Sequence, residues 1–121
     1  MIDYKKYKVW EKAHAFVLKT YALTANFPKS EMFNLTSQIN RAAVSIPTNI
    51  AEGCGRATQK ELVRFLYIAS GSAHELEYLL LLAADLQLVP PTEAATYSED
   101  IVEVKKMLAA LIRKINETES K

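Results

Sequence analysis

Cysteine, glycine and proline are scarce in this chain of 121 residues, and each scarcity excludes a class of structure. Cys54 is the only cysteine, so no disulfide can form within the chain, and a reducing, cytoplasmic location is expected. Three glycines and four prolines leave long stretches rich in Ala, Leu, Glu and Lys, a composition that favours helix. The chain is therefore expected to be all-α and to form a single domain over residues 1–121.

Long apolar runs are also missing, which argues against a membrane protein. The longest run, Tyr78–Ala84, has seven residues, whereas a membrane-spanning helix needs about 20. The segment Met1–Lys8 has no apolar stretch of the kind found in secretion signals. We therefore expect no association with a membrane.

Apolar residues recur at steps of three and four, which predicts four helices at about residues 9–26, 31–53, 59–87 and 92–116. Ser30, Thr58 and Thr92 are the expected N-caps of the last three helices. Pro47 falls inside the second helix, where a kink is expected. Because the loops are short, the predicted fold is an antiparallel up-down four-helix bundle.

The same spacing predicts the core face of each helix. For three of the helices the predicted core residues are Trp10, Ala13, Val17, Tyr21 and Thr24 in the first; Leu35, Ile39, Ala42, Ala43, Ile46 and Ile50 in the second; and Ile101, Val104, Leu108, Leu111 and Ile115 in the fourth.

The apolar run Tyr78–Ala84 covers almost two helical turns and is therefore apolar on every side. A helix of an isolated four-helix bundle exposes about half of its circumference to water, so another subunit is expected to cover the excess. Tyr78, Leu81 and Leu82 are the predicted interface residues. The alternative is that the fourth helix and the loops cover this surface internally.

A polar stripe follows one face of the second helix. Its members are Gln, Asn, Ser, Arg and Glu side chains spaced by three or four residues, with a glutamate of the third helix as a candidate partner: Gln38, Arg41, Ser45, Asn49, Glu52, Arg56 and Glu75. Such side chains suit defined hydrogen bonds and forked ion pairs. The stripe is interpreted as an internal network, a binding surface or a solvated face.

The residues that commonly carry catalysis are few and scattered. His14, His74 and Cys54 show no metal-ligand spacing, and the Glu-x-x-His motif of di-iron bundles is missing around Glu75 and Glu77. Gly53-Cys54-Gly55 lacks the lysine of a phosphate-binding loop. We expect no catalytic site, no metal and no cofactor, and hence no enzyme.

Charge is divided unevenly between the two halves of the chain. Residues 1–64 hold ten basic and five acidic side chains, whereas residues 65–121 hold five basic and nine acidic ones. This asymmetry fits a half that faces nucleic acid, or antiparallel helices that attract one another. The candidate nucleic-acid contacts are six of the ten cations of the first half, which an assembly could gather on one rim: Lys5, Lys6, Lys8, Lys12, Lys60 and Arg64.

Three segments resemble a known family. Val9–His14, Thr36–Gly53 and Phe65–Glu77 match signature blocks of the 23S rRNA intervening-sequence proteins, also called S23-like proteins, and the resemblance covers about residues 4–115. It implies a four-helix bundle that assembles into a barrel-shaped homopentamer. The family is similar in fold to the accessory protein of diversity-generating retroelements, a basic pentamer that binds nucleic acid and a reverse transcriptase.

The resemblance, together with the charge asymmetry, gives two hypotheses. The first is a non-enzymatic homo-oligomer, a pentamer in the implied form, that binds RNA or DNA weakly. Its affinity is limited by a net charge of only +1, because phosphate neutralisation depends on the number of cations presented. The alternative is a scaffold or adaptor that recruits a protein partner and binds no nucleic acid.

Overall fold

A computed structural model of the chain describes residues 2–119, which form four helices. They are α1 (Lys8–Thr24), α2 (Leu35–Cys54), α3 (Gln59–Asp85) and α4 (Pro91–Glu119), with single 3-10 turns at Tyr4–Lys6 and Lys29–Glu31. No strand occurs within residues 2–119, so the predicted all-α class is confirmed there. Met1, Ser120 and Lys121 of the predicted domain lie outside the described residues.

Helices that follow one another in the chain pack side by side, with α4 returning to α1. The Ser45 and Ser72 hydroxyls lie 2.7 Å apart between α2 and α3. Nearer the end of α2, Gly53 lies against Phe65. Residue numbers therefore rise along one helix as they fall along the other, which is the antiparallel order expected of an up-down bundle.

The contact between α2 and α3 is the most extensive of the four, and that between α1 and α4 is the least. Gly53 explains the close approach of α2 to α3, because a Cβ atom there would lie only 2.9 Å from the Phe65 Cβ and 3.2 Å from the Leu62 carbonyl oxygen. The seam between α1 and α4 depends instead on the Phe16–Tyr97 ring contact and on two polar contacts of Lys19.

The core face of α1 differs from the predicted one. Its buried residues are Val9, Ala13, Phe16, Thr20, Leu23 and Thr24, whereas Tyr21 is 49% exposed. Thr20 belongs to this face because its hydroxyl donates to the Phe16 carbonyl oxygen at 2.7 Å, so that a polar side chain is satisfied inside the core. The predicted face of α2 is confirmed, and in α4 Ile112 is buried where Leu111 was predicted.

Two of the three predicted N-caps are wrong. α2 begins at Leu35, four residues after the predicted start, and the Glu31 carboxylate rather than Ser30 accepts the Leu35 N–H at 3.4 Å. α4 begins at Pro91, ahead of Thr92, because the N–H that proline lacks is not needed in a first turn. The Thr58 cap of α3 is confirmed by the hydrogen bond that its hydroxyl accepts from the Glu61 N–H at 3.1 Å.

The C-terminus of α3 closes around a residue in the left-handed region. Gln87 has φ 65°, its N–H donates to the Ala84 carbonyl oxygen at 2.9 Å, and the Leu88 N–H donates to that of Ala83 at 2.9 Å. This pair of bonds is a Schellman motif, in which glycine is the usual residue at the position that Gln87 occupies. The motif ends α3 at Asp85, two residues before the predicted end.

Pro47 is buried in the interior of α2, and the helix continues on both sides of it from Leu35 to Cys54. The kink expected there stays a prediction.

Candidate functional site

One end of the bundle, called the basic end below, collects most of the predicted nucleic-acid contacts. The 3-10 turn and first turn of α1 carry Lys5, Lys6 and Lys8, and the Ile2 N–H ties this segment to α2 by donating to the Cys54 carbonyl oxygen at 3.2 Å. The end of α2 lies beside the start of α3, which carries Lys60 and Arg64. These five cations therefore share one end of the molecule.

The cations of the basic end are mostly free of carboxylate partners. Within residues 2–119, no ion pair forms at Lys5, Lys6, Lys8 or Lys60. Arg64 lies 3.3 Å from Glu61 with its side chain 65% exposed, where water screens the pair. Their charges remain available to an anionic ligand.

Lys12, the sixth predicted contact, lies apart from this group. Its Nζ is 3.9 Å from an oxygen of Asp100 on α4, and the same carboxylate binds Lys19. The structure therefore places Lys12 on the side of the bundle, beside an acidic partner, and not at the basic end.

The structure adds to the basic end three residues that were not among the predicted nucleic-acid contacts: Arg56, Phe65 and Arg113. The guanidinium of Arg56 lies 4.6 Å from the Phe65 ring centroid and that of Arg64 lies 5.4 Å from it, so the ring holds two cations side by side. The last turns of α4 bring Arg113 to the same end. The sequence could have indicated Arg113 only through the antiparallel order of the helices, because that order places the end of α4 beside the start of α3.

An open groove of about 760 Å³ lies between α3 and α4 near the basic end. Tyr67, 58% exposed, forms one side, and Arg113 and Asn116 form the other. An exposed aromatic ring beside a cation and an amide offers stacking, charge and hydrogen bonding to an unpaired nucleobase. Glu117, which also lines the groove, opposes the binding of phosphate.

The middle of the polar stripe is an internal network. Ser45 on α2 shares its hydrogen bond with Ser72 on α3, and the Asn49 amide donates to the Ser45 carbonyl oxygen at 2.8 Å and to its hydroxyl at 3.0 Å. These side chains are only partly exposed. The central part of the stripe therefore joins α2 to α3.

The ends of the stripe are exposed. Arg56 and Glu52 form a weak surface pair at 3.4 Å. Gln38, Arg41 and Glu75 are exposed, and their side chains make no hydrogen bond or ion pair with the described residues.

Arg41 pairs with neither Glu75 nor Glu77 in the described part of the chain. Glu77 binds Lys105 of α4 at 2.7 Å instead.

The outer face of α3 carries the predicted interface residues. Tyr78 is 59% exposed and Leu81 is 58% exposed, while Leu82 is half-buried against the core. Gly71, in the middle of the same helix, has no atom within 4 Å of the position that a Cβ would take. Nothing inside the described bundle therefore accounts for a glycine that disfavours the helix by about 1 kcal/mol.

The outward residues of α3 form a continuous stripe, called the outer stripe below. Its members follow steps of four, three, four and three: Tyr67, Gly71, His74, Tyr78 and Leu81. This is the spacing of a helix seam that packs against another helix.

The chemically reactive side chains lie apart. Cys54 is buried, and burial, followed by the charge of Asp3, raises the pKa of its thiol above the ordinary 9.0. The His74 Nδ1 donates to the Ser70 carbonyl oxygen at 2.8 Å, which engages that nitrogen within its own helix. Among the described residues, no group of three or more His, Cys, Asp or Glu side chains is placed to hold a metal ion.

Comparison with known proteins gives a family and a related structure. The family model described as 23S rRNA-intervening sequence protein matches residues 5–110. The chain is similar to a Bacteroides thetaiotaomicron protein whose crystal structure is described as that of a protein with unknown function from the S23 ribosomal protein family. The two share 25% identity with a TM-score of 0.81, over 87% of this chain and 95% of the other.

The search of curated proteins found no match. None of the helices within residues 2–119 is both long enough and apolar enough to cross a membrane.

Proposed function

This chain belongs to the family of 23S rRNA-intervening sequence proteins, and from that premise we propose that it is a non-catalytic homo-oligomer that binds RNA weakly through its basic end. The observation that carries the proposal is the collection of Lys5, Lys6, Lys8, Lys60 and Arg64 at one end of the bundle. An assembly with all its subunits pointing the same way would present these cations as a repeated ring.

The charge distribution along the bundle supports RNA binding at the basic end and not at the opposite end. The opposite end and the adjoining part of α4 are acidic, since residues 77–105 hold six carboxylates and only one cation, Lys105. A phosphate backbone is therefore attracted to one end and repelled from the other. Few cations per subunit make each contact weak, and repetition around the assembly compensates through avidity.

Self-association is supported by the outer stripe of α3. Tyr67, Tyr78 and Leu81 expose large apolar surfaces in a row, and Gly71 leaves room for a neighbouring helix to approach. Exposed apolar stripes of this kind mark protein interfaces. A closed ring of five subunits is the assembly that the family resemblance suggests.

The primary test is the solution mass by light scattering, with and without a fragment of structured RNA. An oligomer that gains mass with RNA at low salt, and loses that gain at high salt, is the expected result. Lys60→Glu should weaken RNA binding severalfold and reduce its salt dependence. Lys106→Glu, an equal charge change at an exposed site on the side of α4, should alter both much less. Equal effects of the two variants would contradict binding at the basic end.

The interface has its own pair of variants. Leu81→Glu should dissociate the oligomer while leaving the helical circular dichroism signal intact, because Leu81 is exposed within the subunit. Leu18→Glu, on α1 and 61% exposed, is the matched control and should remain assembled. An unchanged mass for Leu81→Glu would refute an interface on this face.

The outer stripe also favours a second candidate, a scaffold that recruits another protein. An oligomer whose mass is indifferent to RNA at every salt concentration would support this alternative over RNA binding.

A further inference from the structure

The most exposed large apolar side chain of the described residues is Phe33, in the connection between α1 and α2. It is 89% exposed, and its neighbour Met32 is 48% exposed. Neither residue was predicted from the sequence to belong to the core or to a site. The ring buries almost none of its apolar surface within the subunit, and with Met32 it offers apolar area that a partner could cover.

The connection that carries Phe33 is ordered by its own hydrogen bonds. The Glu31 N–H donates to the Pro28 carbonyl oxygen at 2.9 Å, and the Asn34 N–H donates to that of Glu31 at 3.0 Å. The Glu31 side chain also accepts the Leu35 N–H, which fixes the start of α2. The ring is therefore presented from a structured turn, and little chain entropy is lost when it binds.

An apolar groove of about 400 Å³ lies on the opposite helix pair, between α3 and α4. Its lining is mostly aliphatic and includes Leu80, Leu81, Ala84, Ala94 and Ile101. The small side chains of the two alanines leave the space that an aromatic ring can fill. This groove adjoins the outer stripe, because Tyr78 and Leu81 belong to both.

The turn and the groove lie at matching heights on opposite sides of the bundle. The Ser45–Ser72 contact sets the register of α2 against α3, and the same register places Phe33 at about the level of Ala84. The turn joins α1 to α2, whereas only α3 and α4 line the groove, so Phe33 points to the groove of another copy. Such a head-to-tail contact, repeated by rotation about the bundle direction without a shift along it, gives a ring when the rotation is a whole fraction of a turn.

The charges around the two surfaces are complementary. Lys29 precedes Phe33 in the turn and has no ion-pair partner among the described residues. Asp85, Glu93 and Glu99 are neighbours in sequence of groove residues, and they too lack ion pairs in the described part of the chain. Glu31 of the same turn is engaged by the Leu35 N–H, so Lys29 is the charge of the turn left without a partner in the described residues. Its attraction to the unpaired carboxylates of the α3–α4 side favours a second copy of this chain as the occupant.

We propose that Phe33 of each subunit inserts into the α3–α4 groove of the next subunit and that this contact builds the ring. The inference rests on the proposed self-association and assigns it a specific contact. Aromatic side chains that fill a pocket commonly dominate the energy of an interface. Removal of the ring should therefore weaken assembly far more than removal of any other exposed apolar side chain of similar size.

The test is a double-mutant cycle read by light scattering over a concentration series. Phe33→Ala should raise the concentration for half-assembly by about tenfold or more. Ala84→Arg, which fills the groove, should do the same. The double variant should be little weaker than either single one, because both changes remove one contact. Leu18→Ala is the control, and it should assemble as the natural chain does.

The outcomes separate this inference from the proposed function. If the natural chain assembles and Phe33→Ala assembles equally well, the contact is wrong while self-association stands. Independent, additive effects of Phe33→Ala and Ala84→Arg would likewise show that the two residues do not meet. A natural chain that is monomeric at every concentration would overturn both. Phe33 is exposed in the subunit, so its replacement should leave the fold intact, which circular dichroism checks.

Discussion

Replacing Gly53 with alanine should destabilise the bundle, although the same change in most helices is stabilising. The added Cβ would lie 2.9 Å from the Phe65 Cβ, 3.0 Å from a Leu62 methyl and 3.2 Å from the Leu62 carbonyl oxygen. Two of these three atoms are Cβ or backbone atoms that a side-chain rotation cannot move. α2 and α3 must therefore separate at their closest approach.

The magnitude follows from two opposing terms. Overpacking a well-packed contact costs about 1–3 kcal/mol. Alanine is favoured over glycine in a helix by at most about 1 kcal/mol, and less near the helix end where Gly53 lies. The net effect of Gly53→Ala is therefore a loss of up to about 3 kcal/mol in the free energy of unfolding.

Gly71→Ala is the matched control in the same fold. Its Cβ would meet no atom within 4 Å, so only the helix preference acts, and the subunit should gain about 0.5–1 kcal/mol. Urea unfolding followed by circular dichroism measures both variants, at two protein concentrations so that any assembly is detected. If Gly53→Ala proved as stabilising as Gly71→Ala, the close approach of α2 and α3 would be refuted.

Three further predictions test other parts of the fold. Gln87→Gly should stabilise the chain by about 1 kcal/mol in urea unfolding, because glycine adopts φ 65° without the strain of a side chain; a loss of stability would contradict the left-handed assignment. Leu76→Ala should lower the free energy of unfolding by about 2–5 kcal/mol, because it leaves a cavity at a fully buried site. Leu86→Ala, at a side chain that is 54% exposed, should lower it much less, and equal losses would be inconsistent with this difference in burial. Burial raises the pKa of Cys54 above 9.0 and that of Tyr97 above 10.0, so the folded state holds these protons more tightly than the unfolded state does. The free energy of unfolding should therefore be at its full value below about pH 9 and should fall as the pH rises. Urea titrations at several alkaline pH values measure this, and a flat profile would refute it.

Local patterns in the sequence predicted much of the fold. The core face of α2 was evident because its apolar residues are bounded by a polar stripe of equally regular spacing. The Thr58 cap was evident because Glu61 follows it by three residues, the spacing of a capping box, whereas neither Ser30 nor Thr92 has a Glu or Gln at that spacing. The core face of α1 was predicted less well, because Thr20 enters the core through a hydrogen bond to the Phe16 carbonyl oxygen, which apolar spacing does not indicate.

The candidate surfaces needed the tertiary arrangement. The cations of α1 and α3 could be selected by sequence, but Arg113 joins them only because α4 runs back to the same end. Lys12 looked equivalent to Lys8 in the sequence, and only the packing of α4 against α1 places Asp100 beside it. Phe33 was not predicted as an interaction site, because the sequence placed it inside the second helix and a phenylalanine is ordinarily expected to be buried.

The uneven packing of the four helices has a consequence for motion. α2 and α3 are held together along their lengths, whereas the two terminal helices meet at the sparse seam around Lys19 and Tyr97. Amide protons of α1 and α4 would therefore exchange with solvent through partial openings, of lower free energy than the global unfolding that releases the α2–α3 hairpin. Such an opening would uncover core side chains along the seam while the hairpin that carries the outer stripe stayed folded. The outer stripe thus belongs to the part of the molecule that opens last, whereas the groove proposed to receive Phe33 also depends on α4.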